Sequence, residues 1–134
     1  MKPYTHTVQY YETDRMQISH HSNYVRWMEE ARVSFLAQLG FPYEKLEERG
    51  IISPVVAVKC EYKHPTTFAD TIDITVSVEK FTGIKLTLTY QMTLPDKTIV
   101  CLAKSSHCFT NQSNQLINLK KVAPDFYQAL NSLV

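Results

Sequence analysis

The sequence predicts an α+β domain in which an antiparallel sheet buries its apolar face against one long helix. Two observations carry that prediction. Apolar residues recur at spacings of three and four before Gly40 and then at a spacing of two from Ile51 onward. The alternating segments are also joined by short turn sequences, Phe68-Ala69-Asp70, Thr82-Gly83 and Leu94-Pro95-Asp96-Lys97.

Thr5 to Tyr11 is the first strand. Ser22 to Leu39 is the long helix, with Tyr24, Met28, Ala31 and Phe35 at helical spacing, Ser22 or Asn23 as its cap and Gly40 at its end. Pro42 opens a short second helix through Tyr43 and Leu46 that stops at Gly50. Pro54 to His64 and Thr98 to Phe109 flank two strongly alternating strands, Ile72 to Val78 and Ile84 to Leu94, and Ala123 to Leu133 reads as a C-terminal helix behind Pro124. One helix cannot cover five long strands, so the remaining edges and faces predict cover by another copy of the chain, as a homodimer or homotetramer.

At 134 residues with no repeat or linker, residues 1–134 read as a single domain. A net charge of +1 gives no general electrostatic reason to bind nucleic acid, and three glycines argue against a Gly-rich nucleotide loop. No segment has the length and apolarity of a membrane span or signal peptide, so a cytoplasmic protein is expected. Cys60, Cys101 and Cys108 are odd in number and lack a CxxC spacing, which predicts buried reduced thiols rather than a disulfide framework or zinc site.

Most of the chemistry sits between the first strand and the long helix, in Tyr10 through Tyr24. A carboxylate, Asp14, lies there beside a helix N-terminus, whose unpaired N–H groups and dipole can hold a developing oxyanion. Taken alone, Asp14 reads more readily as a turn or cap residue than as a catalyst, and Trp27 reads as core. His20 and His21 are adjacent, so their side chains diverge and no metal site is predicted. Glu29 and Arg32, one turn apart, read as a surface ion pair. Ser105-Ser106-His107 lies along a strand whose neighbouring residues face opposite sides, which speaks against serine chemistry; a cysteine paired with His107 stays open.

Tyr11, Glu12, Thr13-Asp14, Ile18-Ser19-His20-His21, Asn23-Tyr24, Glu29 and Arg32 stand in an order and spacing that resembles the hot-dog-fold acyl-CoA thioesterases of the 4-hydroxybenzoyl-CoA thioesterase-like family. Tyr62-Lys63-His64-Pro65 followed by Phe68-Ala69-Asp70 extends the resemblance. It implies a hot-dog fold, a five-stranded antiparallel sheet wrapped around one long central helix, that hydrolyses acyl-CoA without a cofactor. Asp14 would be the catalytic nucleophile or general base, and the His21 N–H would polarise the thioester carbonyl. His20, Asn23 and Tyr24 would shape the substrate site. Gln17, standing where the family has Gly, would narrow it, and Lys59, Lys63 and His64 would meet CoA phosphates. A non-catalytic acyl-CoA-binding module, a dehydratase and an acyl carrier protein thioesterase remain as alternatives.

Overall fold

Helix α1, Ser22–Leu39, is the element around which the rest is laid. This computed structural model describes all residues 1–134. Tyr24, Trp27, Met28, Ala31, Phe35 and Leu36 form the buried stripe of α1, the face that spacings of three and four create. The helix ends at Gly40, whose φ of 99° lets its own N–H and that of Phe41 close on the last carbonyls. At the start neither Ser22 nor Asn23 caps. His20 Nδ1 accepts the Ser22 N–H at 3.2 Å, while the Asn23 amide turns back to the Glu12 and His20 carbonyls at 2.9 and 3.3 Å.

The strands are β1 (Tyr4–Thr7), β2 (Val55–Tyr62), β3 (Thr71–Phe81), β4 (Lys85–Thr93) and β5 (Ile99–Cys108), ordered β1-β3-β4-β5-β2 with every neighbouring pair antiparallel. The pleat sends Ile72, Ile74 and Val78 of β3, and Leu86, Leu88, Tyr90 and Met92 of β4, toward α1. The inward side of β5 is narrower and partly polar: Cys101, Ala103, Ser105 and His107. Helices α2 (Tyr43–Glu48), α3 (Leu119–Val122) and α4 (Pro124–Asn131) close the remaining flanks. The resulting sheet wrapped around α1 encloses one continuous apolar core, the architecture expected from the sequence.

Four details differ from expectation. The first strand stops at Thr7, and Tyr10–Glu12 forms a 3-10 turn, because Glu12 swings inward and exchanges capping bonds with Gln9 while Tyr10 and Tyr11 stay exposed. Residues 63–70 do not close a hairpin; they carry the chain from β2 at one sheet edge to β3, near the other. α3 was not foreseen, and it is capped by Asn118 Oδ1 accepting the Lys120 N–H. Cys101 is fully buried, but Cys60 and Cys108 are only half-buried. No helix is long and apolar enough to cross a membrane.

The β3–β4 turn shows how tightly the C-terminal segment seats. Gly83 has φ +92° and its carbonyl accepts the Leu119 N–H at 2.9 Å; a Cβ there would stand 2.6 Å from Asn118 Oδ1. Gly83→Ala is therefore expected to lower stability by about 1–3 kcal/mol, read from urea unfolding. An unchanged midpoint would show that α3 is free to shift.

Candidate active site

A tight hairpin carries Asp14. The Asp14 N–H bonds the Ile18 carbonyl and the Gln17 N–H bonds the Asp14 carbonyl, each at 2.9 Å, with Thr13 and Ser19 bridged behind them. One carboxylate oxygen, Oδ1, accepts the Met16 N–H at 2.8 Å, and Oδ2 has no partner in the chain. The hairpin is pinned to the 63–70 crossover from beneath. Ser19 N–H reaches the Thr66 carbonyl at 2.7 Å, Thr67 Oγ1 donates to the Gln17 carbonyl at 2.7 Å, and Tyr24 Oη, Thr66 Oγ1 and Ser19 Oγ form a buried hydroxyl chain.

His21 lines the same cavity as Asp14, and its backbone N–H makes no hydrogen bond within the chain. His21 occupies the N-cap position of α1, where the helix dipole presents its positive end. Asp14, His21, Tyr24, Tyr62, Lys63 and His64 line one open cavity of about 420 Å³. Tyr62 Oη donates to the His21 carbonyl at 3.3 Å and its ring stands edge-on to Tyr24 at 5.1 Å. Burial raises both phenols, Tyr62 to about 12 with the nearby Cys60 thiol adding to the shift, so both remain neutral donors. Such a cavity sets a partly free carboxylate against an unpaired N–H at a helix start, an arrangement able to activate water or attack a carbonyl while holding an oxyanion.

Glu12 fixes the approach to this hairpin. Its carboxylate takes the Trp27 indole N–H at 2.7 Å, the Gln9 N–H at 2.8 Å and His6 Nε2 at 2.8 Å, and its carbonyl takes the His20 N–H at 2.8 Å. Burial opposes its ionisation, but these donors outweigh that and hold the carboxyl below its ordinary value.

Of the residues singled out in the sequence, Asp14, His21, Tyr24, Lys63 and His64 meet in the cavity. Asn23 is buried and holds backbone carbonyls, His20 caps α1, and Lys59 points to a separate concavity on the outer sheet face, paired with Glu61 at 3.3 Å. The Gln17 side chain is exposed and outside the cavity, so it does not narrow the site; its φ of 65° shows instead that position 17 requires a left-handed backbone. Tyr62, Ser19 and Thr66 were missed as site residues, although the Tyr62-Lys63-His64-Pro65 run was a usable signal.

Two further readings change. Arg32 is buried and makes no ion pair with Glu29, because its guanidinium turns inward to Tyr43 Oη at 2.8 Å and His107 Nε2 at 3.5 Å. Ser105 and His107, two residues apart on β5, do share a face and bond at 2.7 Å, with Tyr90 Oη on Ser105 Oγ at 2.6 Å. Burial first and the Arg32 charge second push His107 down to about 4, which makes it a poor base, and no cysteine reaches it. No group of three His, Cys, Asp or Glu side chains is placed to hold a metal ion.

A hot-dog sheet with this helix-start cavity is the framework of a thioesterase. The model of the thioesterase-like superfamily matches residues 8–130. A Bacillus subtilis protein, YneP, provisionally named an acyl-CoA thioesterase, is 36% identical over 123 residues, covering 91% of this chain and 89% of its own. Among solved structures, a hypothetical protein from Aquifex aeolicus is 32% identical with a TM-score of 0.88, covering 95% of this chain and 97% of its own. The DHNA-CoA thioesterase from Staphylococcus aureus is 26% identical with a TM-score of 0.93, covering 98% and 89%. The chain belongs to the thioesterase-like superfamily and is a thioester hydrolase.

Two outcomes are expected here. Gln17→Gly should gain about 0.5–1 kcal/mol by relieving the left-handed conformation, without altering which acyl groups are hydrolysed; a shifted acyl ranking would return the side chain to the pocket. His107 is neutral in the fold, whereas the unfolded chain takes up a proton at its ordinary value of 6.5, so its contribution is complete above 6.5 and is lost as pH falls towards about 4. Urea midpoints measured across that window should fall with acidification, and less steeply in His107→Gln. An identical slope would place the loss in other groups.

Proposed function

We propose that residues 1–134 act as one thioesterase domain that hydrolyses acyl-CoA to the free carboxylic acid and CoA. One observation carries this reading: the unpaired His21 N–H and the half-free Asp14 carboxylate share one cavity. The thioester oxygen is received at the start of α1, where the His21 N–H and the helix dipole stabilise the charge that develops on it. Asp14 either attacks the carbonyl, forming a mixed anhydride that water then opens, or takes a proton from the attacking water. Both routes break the C–S bond, and the leaving thiolate is protonated to free CoA. Lys63 and His64, which line the cavity, would meet the CoA phosphates, with Lys63 released from its 3.1 Å pair with Glu61. The names of the Bacillus subtilis and Staphylococcus aureus proteins support a CoA ester as substrate, and three unpaired cysteines fit a reducing cytoplasm.

The assembly read is a homodimer, or a homotetramer built from it. β2 is an edge strand with Val55, Val56 and Val58 all exposed, a liability that pairing with a second copy removes. Light scattering at micromolar concentration is expected to show a dimer or tetramer, and Val56→Lys should shift it towards monomer. A wild-type monomer at that concentration would overturn the assembly.

Thiol release over a panel of acyl-CoA and acyl carrier protein esters tests the reaction. Asp14→Asn keeps the side chain's size and its bond to Met16 but loses the charge, so kcat should fall by at least ~10²-fold with assembly intact. Near-wild-type turnover by that variant would remove Asp14 from the mechanism. Tight CoA binding without thiol release would make the protein a binding module.

A further inference from the structure

We infer that the acyl group taken by this site ends in a carboxylate, received by Arg32, three turns along α1 from the reacting carbonyl. This rests on the acyl-CoA hydrolysis proposed above and specifies its substrate class. Arg32 is only 8% exposed, yet no carboxylate lies within ion-pair distance of it. Its hydrogen-bond partners are neutral: Tyr43 Oη at 2.8 Å and His107 Nε2 at 3.5 Å, with the Ser105–Tyr90 hydroxyl pair behind His107. A guanidinium so largely withdrawn from water without a counter-ion is a costly arrangement, which the carboxylate of a ligand would relieve. Nη2 has no partner in the chain and remains a free half of the fork that matches a carboxylate.

Apolar residues of α1 and β2, Val25, Met28 and Val58 among them, lie between the reacting end and the charge. Arg32 lines a cavity of about 180 Å³ with Val25, Met28, Val55, Val58 and Ser105, on the seam between α1 and β2. The Asp14–His21 cavity is a separate one, lined by Tyr24, next in chain to Val25, and by Tyr62, on the same strand as Val58; Cys60 Sγ meets Met28 Sδ at 3.6 Å between the two, and the acyl chain would run over that contact. Eleven residues separate His21 from Arg32, about 16 Å along the helix, and the arginine side chain leans back towards the helix start. An extended acyl chain of medium length fits that span, whereas a two- or three-carbon acyl group falls short. Glu29 also lines the smaller cavity, but it is exposed, so water screens its repulsion of the incoming anion while Arg32 acts in a desolvated setting.

The experiment compares suberoyl-CoA with octanoyl-CoA and sebacoyl-CoA with decanoyl-CoA, pairs of equal carbon count, in wild type and Arg32→Gln. The readout is the ratio of kcat/KM for the carboxylated over the methyl-terminated ester. Wild type should favour the carboxylated ester for at least one pair, and Arg32→Gln should lower that ratio at least tenfold. Tyr43→Phe, which removes the hydroxyl orienting the guanidinium, should lower the ratio in the same direction and stands in if Arg32→Gln does not fold. Preference for the methyl-terminated ester in both pairs, or a ratio unmoved by either variant, overturns the inference. If wild type releases no thiol from any ester, thermal stabilisation by free suberate against octanoate decides separately. A suberate shift absent from the variant keeps the Arg32 site while the hydrolysis reading fails; no shift ends both.

Discussion

A single buried carboxylate, Glu12, organises the approach to the site. It is 5% exposed and fully engaged, with its side chain tied to β1 through His6, to the core through Trp27 and to its own turn through Gln9. Its carbonyl meanwhile receives both the His20 N–H and the Asn23 amide. The turn before Asp14 and the first residues of α1 are thus referred to one point. A carboxylate so surrounded by donors is stable only as an anion with all of them in place, so the site's backbone has little freedom to drift.

The helix start works because its polar demand is left incomplete at one place only. His20 takes the Ser22 N–H and the His20 and His21 carbonyls take those of Asn23 and Tyr24, which leaves His21 as the unpaired donor. A capping side chain at position 21 would accept the N–H groups of Asn23 or Tyr24, which backbone carbonyls already hold, so the His21 N–H stays free without one. The inward face of β5 shows a parallel compromise. Small Ala103 and Ser105, rather than bulky residues, make room for Arg32, and neutral partners surround that charge without cancelling it.

The fold was readable wherever a period was strong. The alternation in Ile72 to Val78 and Ile84 to Leu94 placed β3 and β4, and the spacing of Tyr24, Met28, Ala31 and Phe35 placed α1. Periodicity gave no hold on Thr5 to Tyr11, because what ends β1 is a tertiary pull on Glu12, absent from any local pattern. Likewise residues 63–70 resemble a hairpin link in composition, since turn chemistry does not say which strand the chain joins next. Within the site, Asp14 and His21 were legible from their place before the helix and from the family resemblance. The roles of Asn23, His20 and Gln17 were not, because each is decided by a backbone bond or a φ angle rather than by side-chain type. Arg32 was misread for a related reason: the i to i+3 rule for Glu29 holds on a free helix surface, and here the partner elements α2 and β5 supply stronger contacts.

The Thr66–Ser19 hydroxyl bond joins residues 47 apart in the chain, and Tyr24 reaches Thr66 over 42. Closing loops of that length costs entropy that only the finished sheet can recover. Order at Asp14 therefore depends on contacts that are distant in sequence rather than on its own hairpin alone. The stretch from Tyr10 to Leu39, although it holds the whole recognisable motif, would be an unstructured peptide in isolation as far as its chemistry is concerned. The geometry at Asp14 is thus a sensitive reporter of whether the crossover and α1 have come together.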